Sequence, residues 1–237
     1  MFSVIILAAG KGTRLKSDTP KVLHLIKNKP SLFHVIDLAK NISDDIITII
    51  GYKHEEVKAE IDKRYNDVKS VLQIPQNGTA DAVEKGIPSL NKASKAVVVL
   101  SGDAPALTLK SLNLLIDEFN KNKRNASFIA ARIPEPAKYG RVILNNNNLE
   151  KIVEFIDATE EEKKVDLVNS GVYLFDIDFL KNTITKVQKN DNNGEFFLPD
   201  LITIATKNNS AGIVIIDDYN EILGFNTKEQ LKLLNSL

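Results

Sequence analysis

The chain has 237 residues, of which 43% are hydrophobic, and this length suits one α/β domain with a sizeable core. Thirty-one basic residues balance 31 acidic residues, so no global electrostatic field favours a nucleic acid or an anionic membrane surface as a partner. The chain contains no cysteine, which excludes disulfides, zinc-thiolate sites and cysteine nucleophiles.

The first apolar run is residues 4–7, which is far shorter than a secretory h-region or a membrane span of about 20 residues. We therefore expect a cytoplasmic protein. Similar short apolar runs recur along the chain and are typical of buried strands. They are residues 4–7, 46–50, 68–72, 96–100, 127–131, 172–175 and 213–216.

Between these runs the apolar residues have the spacing of helices. The clearest sets are Phe33, Ile36 and Ala39, then Leu112, Leu115, Ile116 and Phe119, and finally Leu231 and Leu234. Strands that alternate with helices predict a largely parallel sheet covered by helices, which is an α/β fold. Ligands of such sheets bind beyond the carboxyl ends of the strands.

The polar stretch 141–166 interrupts this pattern with a run of asparagines and a charged segment at 159–164. It is either a small arm or lid over a site or a solvated excursion. No internal repeat and no Pro/Ser-rich linker divides the chain. We therefore expect a single domain over residues 1–237, with a possible arm at about 141–166.

A glycine-rich segment follows the first predicted strand. It runs Leu7, Ala8, Ala9, Gly10, Lys11, Gly12, Thr13, Arg14 and Leu15, with Lys21 six residues further on. Small residues let backbone N–H groups approach phosphate oxygens, and the three cations can neutralise a triphosphate. A Walker A loop is excluded by Ile5 and Gly12, and Leu15 weakens a dinucleotide-binding interpretation. A plain glycine turn with solvated lysines is the alternative.

Further short motifs follow in order along nearly the whole chain. They are Pro20-Lys21-Val22-Leu23-His24, Gln73, Gln76-Asn77-Gly78-Thr79-Ala80, Gly102-Asp103-Ala104-Pro105, Tyr139-Gly140-Arg141, Ile152-Val153-Glu154, Asp157-Ala158-Thr159, Asn169-Ser170-Gly171, Gly194-Glu195-Phe196-Phe197 and Gly224-Phe225-Asn226. With the glycine-rich segment they resemble the sugar-nucleotide pyrophosphorylases, most of all the uridylyltransferase domain of the bifunctional GlmU enzymes. The resemblance implies a Rossmann-like nucleotidyltransferase fold, with a mostly parallel mixed sheet flanked by helices and a small sugar-binding arm.

An amide side chain offers a donor and an acceptor together, which suits an edge of uracil, and a glycine lets the backbone reach a base. The resemblance implies that Gln73, Gly78 and Thr79 contact the uracil of UTP, while Ala8 to Gly10 pack on the nucleoside. Gln76 belongs to the same predicted nucleotide site. The alternative is an ordinary polar strand-to-helix turn with Thr79 as the helix cap.

Asp103 follows the predicted strand 96–100, so its carboxylate should emerge at the same sheet edge as the glycine-rich segment. Mg²⁺ prefers one or two carboxylates together with phosphate oxygens and waters, which makes Asp103 a candidate ligand. The resemblance implies Asn226 as the second ligand. The alternatives are a turn-forming Asp103 and an Asn226 that caps the helix after it.

The implied reaction is an in-line attack of a sugar 1-phosphate oxygen on the α-phosphorus, which needs no general base because the attacking phosphate is already anionic. Arg14, Lys21 and Asp103 are the predicted catalytic residues. The three histidines have no ligand spacing, and we expect none of them to act directly; they are His24, His34 and His54.

On the sugar side, the resemblance implies Gly140, Glu154 and Asn169 as substrate-binding residues beside Asn226, because carboxylates and amides suit sugar hydroxyl and acetamido groups. The sequence departs from the resembled pattern at three positions. Ser101 stands in place of a tyrosine, Ile156 in place of a lysine and Pro199 in place of a threonine. These departures favour a different sugar or slow turnover.

The leading hypothesis is therefore a Mg²⁺-dependent condensation of UTP with N-acetylglucosamine 1-phosphate. One alternative is the same reaction with another sugar, alcohol phosphate or nucleotide. A second alternative is a nucleotide-binding regulator that has lost turnover. We expect neither the acetyltransferase β-helix of the GlmU enzymes nor the trimer that it builds, and neither nucleic acid nor a membrane as a partner.

Overall fold

A computed structural model describes residues 1–237 as eleven strands and seven α-helices, joined in places by short 3₁₀ turns. The strands are β1 (Phe2–Ala8), β2 (Leu25–Ile26), β3 (Lys29–Pro30), β4 (Ile46–Ile50), β5 (Lys69–Leu72), β6 (Ala96–Ser101), β7 (Ala126–Arg132), β8 (Arg141–Asn145), β9 (Asn148–Val153), β10 (Leu167–Asp176) and β11 (Ala211–Ile216). The helices are α1 (Ser31–Ala39), α2 (His54–Arg64), α3 (Thr79–Gly86), α4 (Leu109–Lys121), α5 (Ile177–Thr183), α6 (Asp200–Lys207) and α7 (Lys228–Ser236).

Nine strands form one mixed sheet in the order β11-β7-β10-β6-β1-β4-β5, with β8 and β9 attached beside β10. The pairs β6-β1, β1-β4, β4-β5 and β11-β7 are parallel, whereas β10 runs antiparallel to both of its neighbours in the main sheet. The predicted α/β class and the mostly parallel mixed sheet are confirmed. No helix is long and apolar enough to cross a membrane.

The central strands are apolar on both faces because helices cover both sides of the sheet. Along β1, Val4 and Ile6 point into one core and Ile5 into the other, and all three are fully buried. The first core includes residues of α1, α2 and α4, and the second includes residues of α3, α5 and α6. The layered core thus fixes where the strands end, and the loops that follow the parallel strands are held at one edge.

Two strands that the sequence predicts as buried lie at the edges of the sheet. Leu72 in β5 is 44% exposed and Ile215 in β11 is 45% exposed. Each strand has a partner on one side only, so its apolar composition is not matched by burial. For these two strands the prediction of burial is wrong.

Strand β10 is longer than the predicted run 172–175 and starts at Leu167. Its pairing with β7 shifts register between Asn169 and Tyr173. Gly171 lies within this bulge at φ +79°, a conformation that favours glycine. Because residues of the bulge are polar, the first half of the strand does not read as an apolar run. The bulge also changes the pairing of Asn169 and its neighbours with β7.

The segment 141–166 contains the hairpin of β8 and β9, which continues the sheet from β10. Arg141 is only 2% exposed, and its guanidinium donates to the carbonyls of Ala137, Tyr139 and Lys163. The buried Arg141 side chain therefore connects the turn before the hairpin to the segment after it.

Candidate active site

Lys21, Asp103 and Asn226 meet at one point although they are far apart in the sequence. The ammonium group of Lys21 contacts a carboxylate oxygen of Asp103 and donates to Oδ1 of Asn226 at 2.8 Å. The side chains of Lys21 and Asp103 are 12% and 23% exposed, so water screens the pair only partly. Two side-chain oxygens thus face a single positive charge.

Three different loops carry these residues to one point at the edge of the sheet, and the loop of Asn226 directly precedes α7. Lys21 begins a 3₁₀ turn in the loop after β1, and Asp103 follows the end of β6. Thr227 is the N-cap of α7, and its hydroxyl accepts a backbone N–H of the first turn. Asn226 is therefore not the helix cap, and its amide oxygen is directed to the cation instead.

A cleft of about 290 Å³ opens beside Asp103 and Asn226. The proposed sugar residues Gly140, Glu154 and Asn169 line the same cleft. Its remaining walls come from Leu7, Thr79, Ser101, Ala104, Lys138, Tyr139, Ser170, Gly171, Tyr173, Phe197, Pro199, Ile222 and Gly224. The structure thus brings the predicted metal ligands and the predicted sugar residues into one space.

The far end of the cleft is built around the bulge in β10. The Asn169 side chain donates to the hydroxyl of Tyr173 at 2.6 Å, and the Asn169 backbone N–H donates to the carbonyl of Gly140 at 2.9 Å. Gly140 lies against Glu154, since a Cβ built on it would lie 3.3 Å from Oε1 of that carboxyl group. The Glu154 carboxyl group and Asn169 therefore both lie beside Gly140, and polar groups of this kind suit a polyhydroxylated ligand.

The electrostatic environment of Glu154 is unusual for a carboxyl group. Burial, reinforced by the charges of Asp157, Asp200 and Glu195, raises the pKa of Glu154 to about 7. Burial, with the charge of Asp157, also raises the pKa of Asp200. Near neutral pH the Glu154 carboxyl can therefore either donate or accept a hydrogen bond.

Tyr139 connects the cleft to the loop before α7. Its hydroxyl accepts the backbone N–H of Gly224 at 3.2 Å. Burial raises the pKa of Tyr139, which the Gly224 N–H opposes and the charge of Asp103 reinforces. The phenol therefore stays neutral and acts as a fixed wall beside Asp103.

The glycine-rich segment after β1 lies on the other side of Lys21. Ala8 and Ala9 are buried, whereas Gly10 is exposed and a Cβ built on it would meet no atom within 4 Å. Lys11, Gly12 and Thr13 line a separate open cavity of about 310 Å³. The segment thus offers a small, accessible backbone next to cationic side chains, as a phosphate-binding loop requires.

Gln76 belongs to the support of this loop. Its side-chain amide donates to the carbonyl of Ala9 at 2.7 Å. Such a bond to the backbone fixes the path of the loop between Ala9 and Gly10. The structure therefore places Gln76 behind the loop.

Gln73 is 3% exposed and uses both of its N–H donors internally. They are donated to the Gly78 carbonyl at 2.9 Å and to the Asp81 carboxylate at 2.6 Å. Both partners can only accept, which fixes the orientation of the amide and leaves its oxygen as the group to be offered to a ligand. The expected donor-and-acceptor edge is therefore wrong, because this side chain presents an acceptor alone.

Gly78 and Thr79 start α3 and connect it to the segment 196–198. Gly78 has φ +105° and is the N-cap. The Thr79 hydroxyl accepts the backbone N–H of Leu198 at 2.9 Å. Thr79 is therefore not the cap of α3, and its hydroxyl links the helix start to the wall of the cleft.

A model of the nucleotidyl transferase family matches residues 3–220, which is most of the chain. The chain belongs to the nucleotidyl transferase family.

Relatives of this nucleotidyl transferase include two proteins named bifunctional protein GlmU. That of Campylobacter fetus subsp. fetus is 38% identical over 237 residues, which cover 99% of this chain and 53% of the relative. That of Clostridium perfringens strain SM101 is 37% identical over 234 residues, which cover 98% and 51%. The chain thus spans about half the length of these relatives.

Among solved structures, a putative glucose-1-phosphate thymidylyltransferase from Bacillus anthracis, in complex with sucrose, superposes with a TM-score of 0.78. The two chains are 21% identical, and the match covers 100% of this chain and 94% of the other. The likeness shows that the fold is that of a nucleotidyltransferase.

Some predicted residues of this nucleotidyl transferase lie apart from the main cleft. Arg14 lines an outer cavity with Glu154 and Ile156, and the main cleft does not include it. The sequence interpretation missed Lys138, Tyr173 and the other unpredicted residues of the cleft wall. Lys138 directly precedes the motif Tyr139-Gly140-Arg141, and that position is the one sequence signal that could have indicated it.

Proposed function

We propose that the chain transfers a uridylyl group from UTP to N-acetylglucosamine 1-phosphate and releases pyrophosphate. The observation that carries this proposal is the junction of Lys21, Asp103 and Asn226 beside a cleft that is also lined by Glu154 and Asn169. The relatives named bifunctional protein GlmU support it over this half of their length.

The reaction is a displacement at phosphorus. An oxygen of the sugar phosphate forms a bond to the α-phosphorus, the bond from that phosphorus to the bridging oxygen breaks, and pyrophosphate leaves. The attacking oxygen is already anionic and the electron pair of the broken bond departs with pyrophosphate, so no side chain has to remove a proton. The work of the protein is then to position the two anions and to stabilise their charge.

The residues present fit a hard divalent cation such as Mg²⁺. The Asp103 carboxylate and the Asn226 amide oxygen both contact the same cationic group of the protein, Lys21 Nζ. No cluster of three or more His, Cys, Asp or Glu side chains is present, so phosphate oxygens and waters would supply the other ligands, as Mg²⁺ prefers. Bound there, Mg²⁺ would neutralise phosphate charge.

The nucleotide would lie along the glycine-rich segment. Lys11 and the backbone from Gly10 to Thr13 would hold the phosphates, with Lys21 at the α-phosphate. Arg14 would stabilise the departing pyrophosphate. Ala8 and Ala9 would pack on the nucleoside.

The base would contact Gln73, Gly78 and Thr79. Because Gln73 offers only its oxygen, it suits a base with an N3–H donor and disfavours cytosine, whose N3 accepts. Uracil and thymine share this imide edge. The same observation therefore favours a second candidate, transfer from dTTP, which is in line with the thymidylyltransferase name of the structural relative.

On the sugar side, Glu154 would bind sugar hydroxyls, and Asn169 with the Gly140 backbone would bind the acetamido group. Ser101 lies in this wall and its hydroxyl is 3.5 Å from the Gly171 carbonyl. A serine fills less space than the tyrosine of the resembled enzymes. Sugars other than N-acetylglucosamine are therefore the natural second set to test.

The test is pyrophosphate release with Mg²⁺, measured for each nucleoside triphosphate against N-acetylglucosamine, glucose, galactose and mannose 1-phosphates. We expect turnover with UTP and N-acetylglucosamine 1-phosphate. Asp103→Asn should lower the rate by at least about a hundredfold, because it removes the charge that faces the phosphates. The matched control is Asp62→Asn, which removes an exposed carboxylate of α2 that pairs only with Lys58.

Turnover with another pair would keep the reaction class and change the substrate. UTP binding without any pyrophosphate release would favour a nucleotide-binding regulator. An Asp103→Asn variant as active as the parent would contradict the assigned role of Asp103.

A further inference from the structure

The main cleft contains one cation that no carboxylate neutralises. Lys138 is the only lysine or arginine in the cleft wall, where the acids are Asp103 and Glu154. No carboxylate oxygen lies within 4.0 Å of the Lys138 ammonium, whereas Lys21 pairs with Asp103 and Lys163 with Glu160. The charge of Lys138 is therefore available to a ligand.

The backbone that carries Lys138 is fixed on both sides. The buried guanidinium of Arg141 donates to the carbonyls of Ala137 and Tyr139, the two neighbours of Lys138. The Tyr139 hydroxyl is in turn held by the Gly224 N–H at 3.2 Å. Lys138 thus extends from a rigid turn, so placing its ammonium costs only the rotamer freedom of its own side chain.

Lys138 also joins two spaces. It lines the main cleft with Asp103 and Glu154, and it lines an outer cavity of about 640 Å³ with Arg14 and Ile156. Ile156 is 50% exposed there and brings no charge. Lys138 is therefore the one cation that lines both spaces.

The charges in the cleft indicate a role for Lys138. A sugar 1-phosphate carries up to two negative charges, and the cation beside Asp103, Lys21, is already paired with that carboxylate. Lys11 and Lys16 lie in the separate cavity at the glycine-rich segment. Lys11 and Lys16 are thus placed to bind the triphosphate, and neither of them lines the cleft of the acceptor phosphate.

We propose that Lys138 is a phosphate-binding residue for the sugar 1-phosphate, an inference that rests on the proposed function. It holds the acceptor phosphate within the cleft and thereby contributes to the selection of phosphorylated sugars over free sugars. It acts as a charge and hydrogen-bond donor, and no bond to it forms or breaks.

The variants that test this are Lys138→Met, which keeps the length of the stem, and Lys138→Arg, which keeps the charge. Lys164→Met is the matched control, because Lys164 is exposed on the segment that follows the hairpin and lines neither cavity. Circular dichroism with thermal unfolding checks that each of these variants is folded. Kinetics then give KM for UTP and for the sugar 1-phosphate separately.

We expect Lys138→Met to raise KM for the sugar 1-phosphate about tenfold, the loss of one charge-assisted bond, with KM for UTP unchanged. Lys138→Arg and the control should resemble the parent. Equal KM values in all variants, or an equal rise in both KM values for Lys138→Met, would overturn the inference.

Calorimetric titration with N-acetylglucosamine 1-phosphate and with inorganic phosphate separates this inference from the proposed function. If the parent turns over no substrate pair, the proposed function fails, yet tighter phosphate binding by the parent than by Lys138→Met still supports the role of Lys138. A parent that binds neither probe, or binds them no better than the variant does, contradicts that role.

Discussion

The Lys21 ammonium is held by a carboxylate and an amide oxygen, the same two groups that we assign to the divalent cation. An ammonium group and a metal ion repel each other at short distance, so a metal held by Asp103 and Asn226 would displace the Lys21 ammonium toward the phosphates. On the proposed function, Lys21 and the metal would both bind the phosphates when nucleotide is present and would compete for these oxygens when it is absent.

Lys21→Met should therefore bind Mn²⁺ about tenfold more tightly than the parent in the absence of nucleotide, because one positive charge is removed from the site. Electron paramagnetic resonance of free Mn²⁺ gives the two dissociation constants directly. The same variant should lose nearly all turnover. Unchanged Mn²⁺ affinity would show that the metal does not use these oxygens.

Glu154 gives a pH-dependent prediction. Its pKa is about 7 in the folded protein against an ordinary value of 4.5, so between these pH values the folded state keeps a proton that the unfolded chain has lost. The Glu154 contribution to the free energy of unfolding therefore falls as pH rises from 4.5 to 7 and stays low above that. Glu154→Gln removes this dependence.

We expect Glu154→Gln to be more stable than the parent by roughly 3 kcal/mol at pH 8 and to equal it near pH 4.5. Urea unfolding at both pH values measures the difference. A Gln variant that is less stable than the parent at pH 8 would mean that the carboxylate is well stabilised in the fold.

At the scale of elements, two glycines of the proposed nucleotide site differ in what the fold requires of them. A Cβ on Gly78 would lie 2.5 Å from the Phe196 carbonyl oxygen, at a φ of +105° that side chains rarely adopt. A Cβ on Gly10 would meet nothing within 4 Å. The first glycine is required by packing between α3 and the segment 196–198, and the second is required only if a ligand approaches the backbone.

Gly78→Ala should thus lower the free energy of unfolding by roughly 2 kcal/mol or more, since strain and a backbone clash combine. Gly10→Ala should leave stability within about 0.5 kcal/mol of the parent and should still weaken UTP binding. Chemical unfolding and calorimetry on both variants measure the two effects. Normal UTP binding by a stable Gly10→Ala protein would place the triphosphate elsewhere.

The sequence predicts most strands because helices on both faces make them continuously apolar, as in residues 46–50 and 96–100. It does not show the first half of β10, whose polar bulge residues interrupt the apolar run. Nor does it show which strands are at the edges, since that depends on sheet order and not on composition. The bulge and the edges are set by pairing between distant segments.

At the scale of the whole molecule, the site exists only after the sheet has formed. Lys21 is 82 residues from Asp103 and 205 residues from Asn226 in the sequence. The sequence could suggest each residue through its motif and through the family resemblance. It could not place Arg14 outside the main cleft or Lys138 inside it, because both positions depend on how the turn held by Arg141 meets the loop after β1.

The same layout places most of the proposed nucleotide residues apart from the proposed sugar residues, although Leu7 and Thr79 line the main cleft with the latter. The glycine-rich segment and α3 lie beside β1 and β4, whereas Glu154 and Asn169 lie on the hairpin side, next to β10. Lys21, Asp103 and Asn226 stand between the two groups. A transfer between two substrates is the chemistry that this arrangement suits best.

Phosphorus-31 NMR of one reaction mixture tests that transfer most directly. The purified protein, Mg²⁺, UTP and N-acetylglucosamine 1-phosphate should give the two phosphorus signals of a nucleoside diphosphate sugar and the signal of pyrophosphate. The two products should form in a one-to-one ratio. The sugar phosphate signal should fall by the same amount, and Asp103→Asn should leave the spectrum unchanged. Release of inorganic phosphate with the sugar phosphate signal intact would contradict a nucleotidyl transfer.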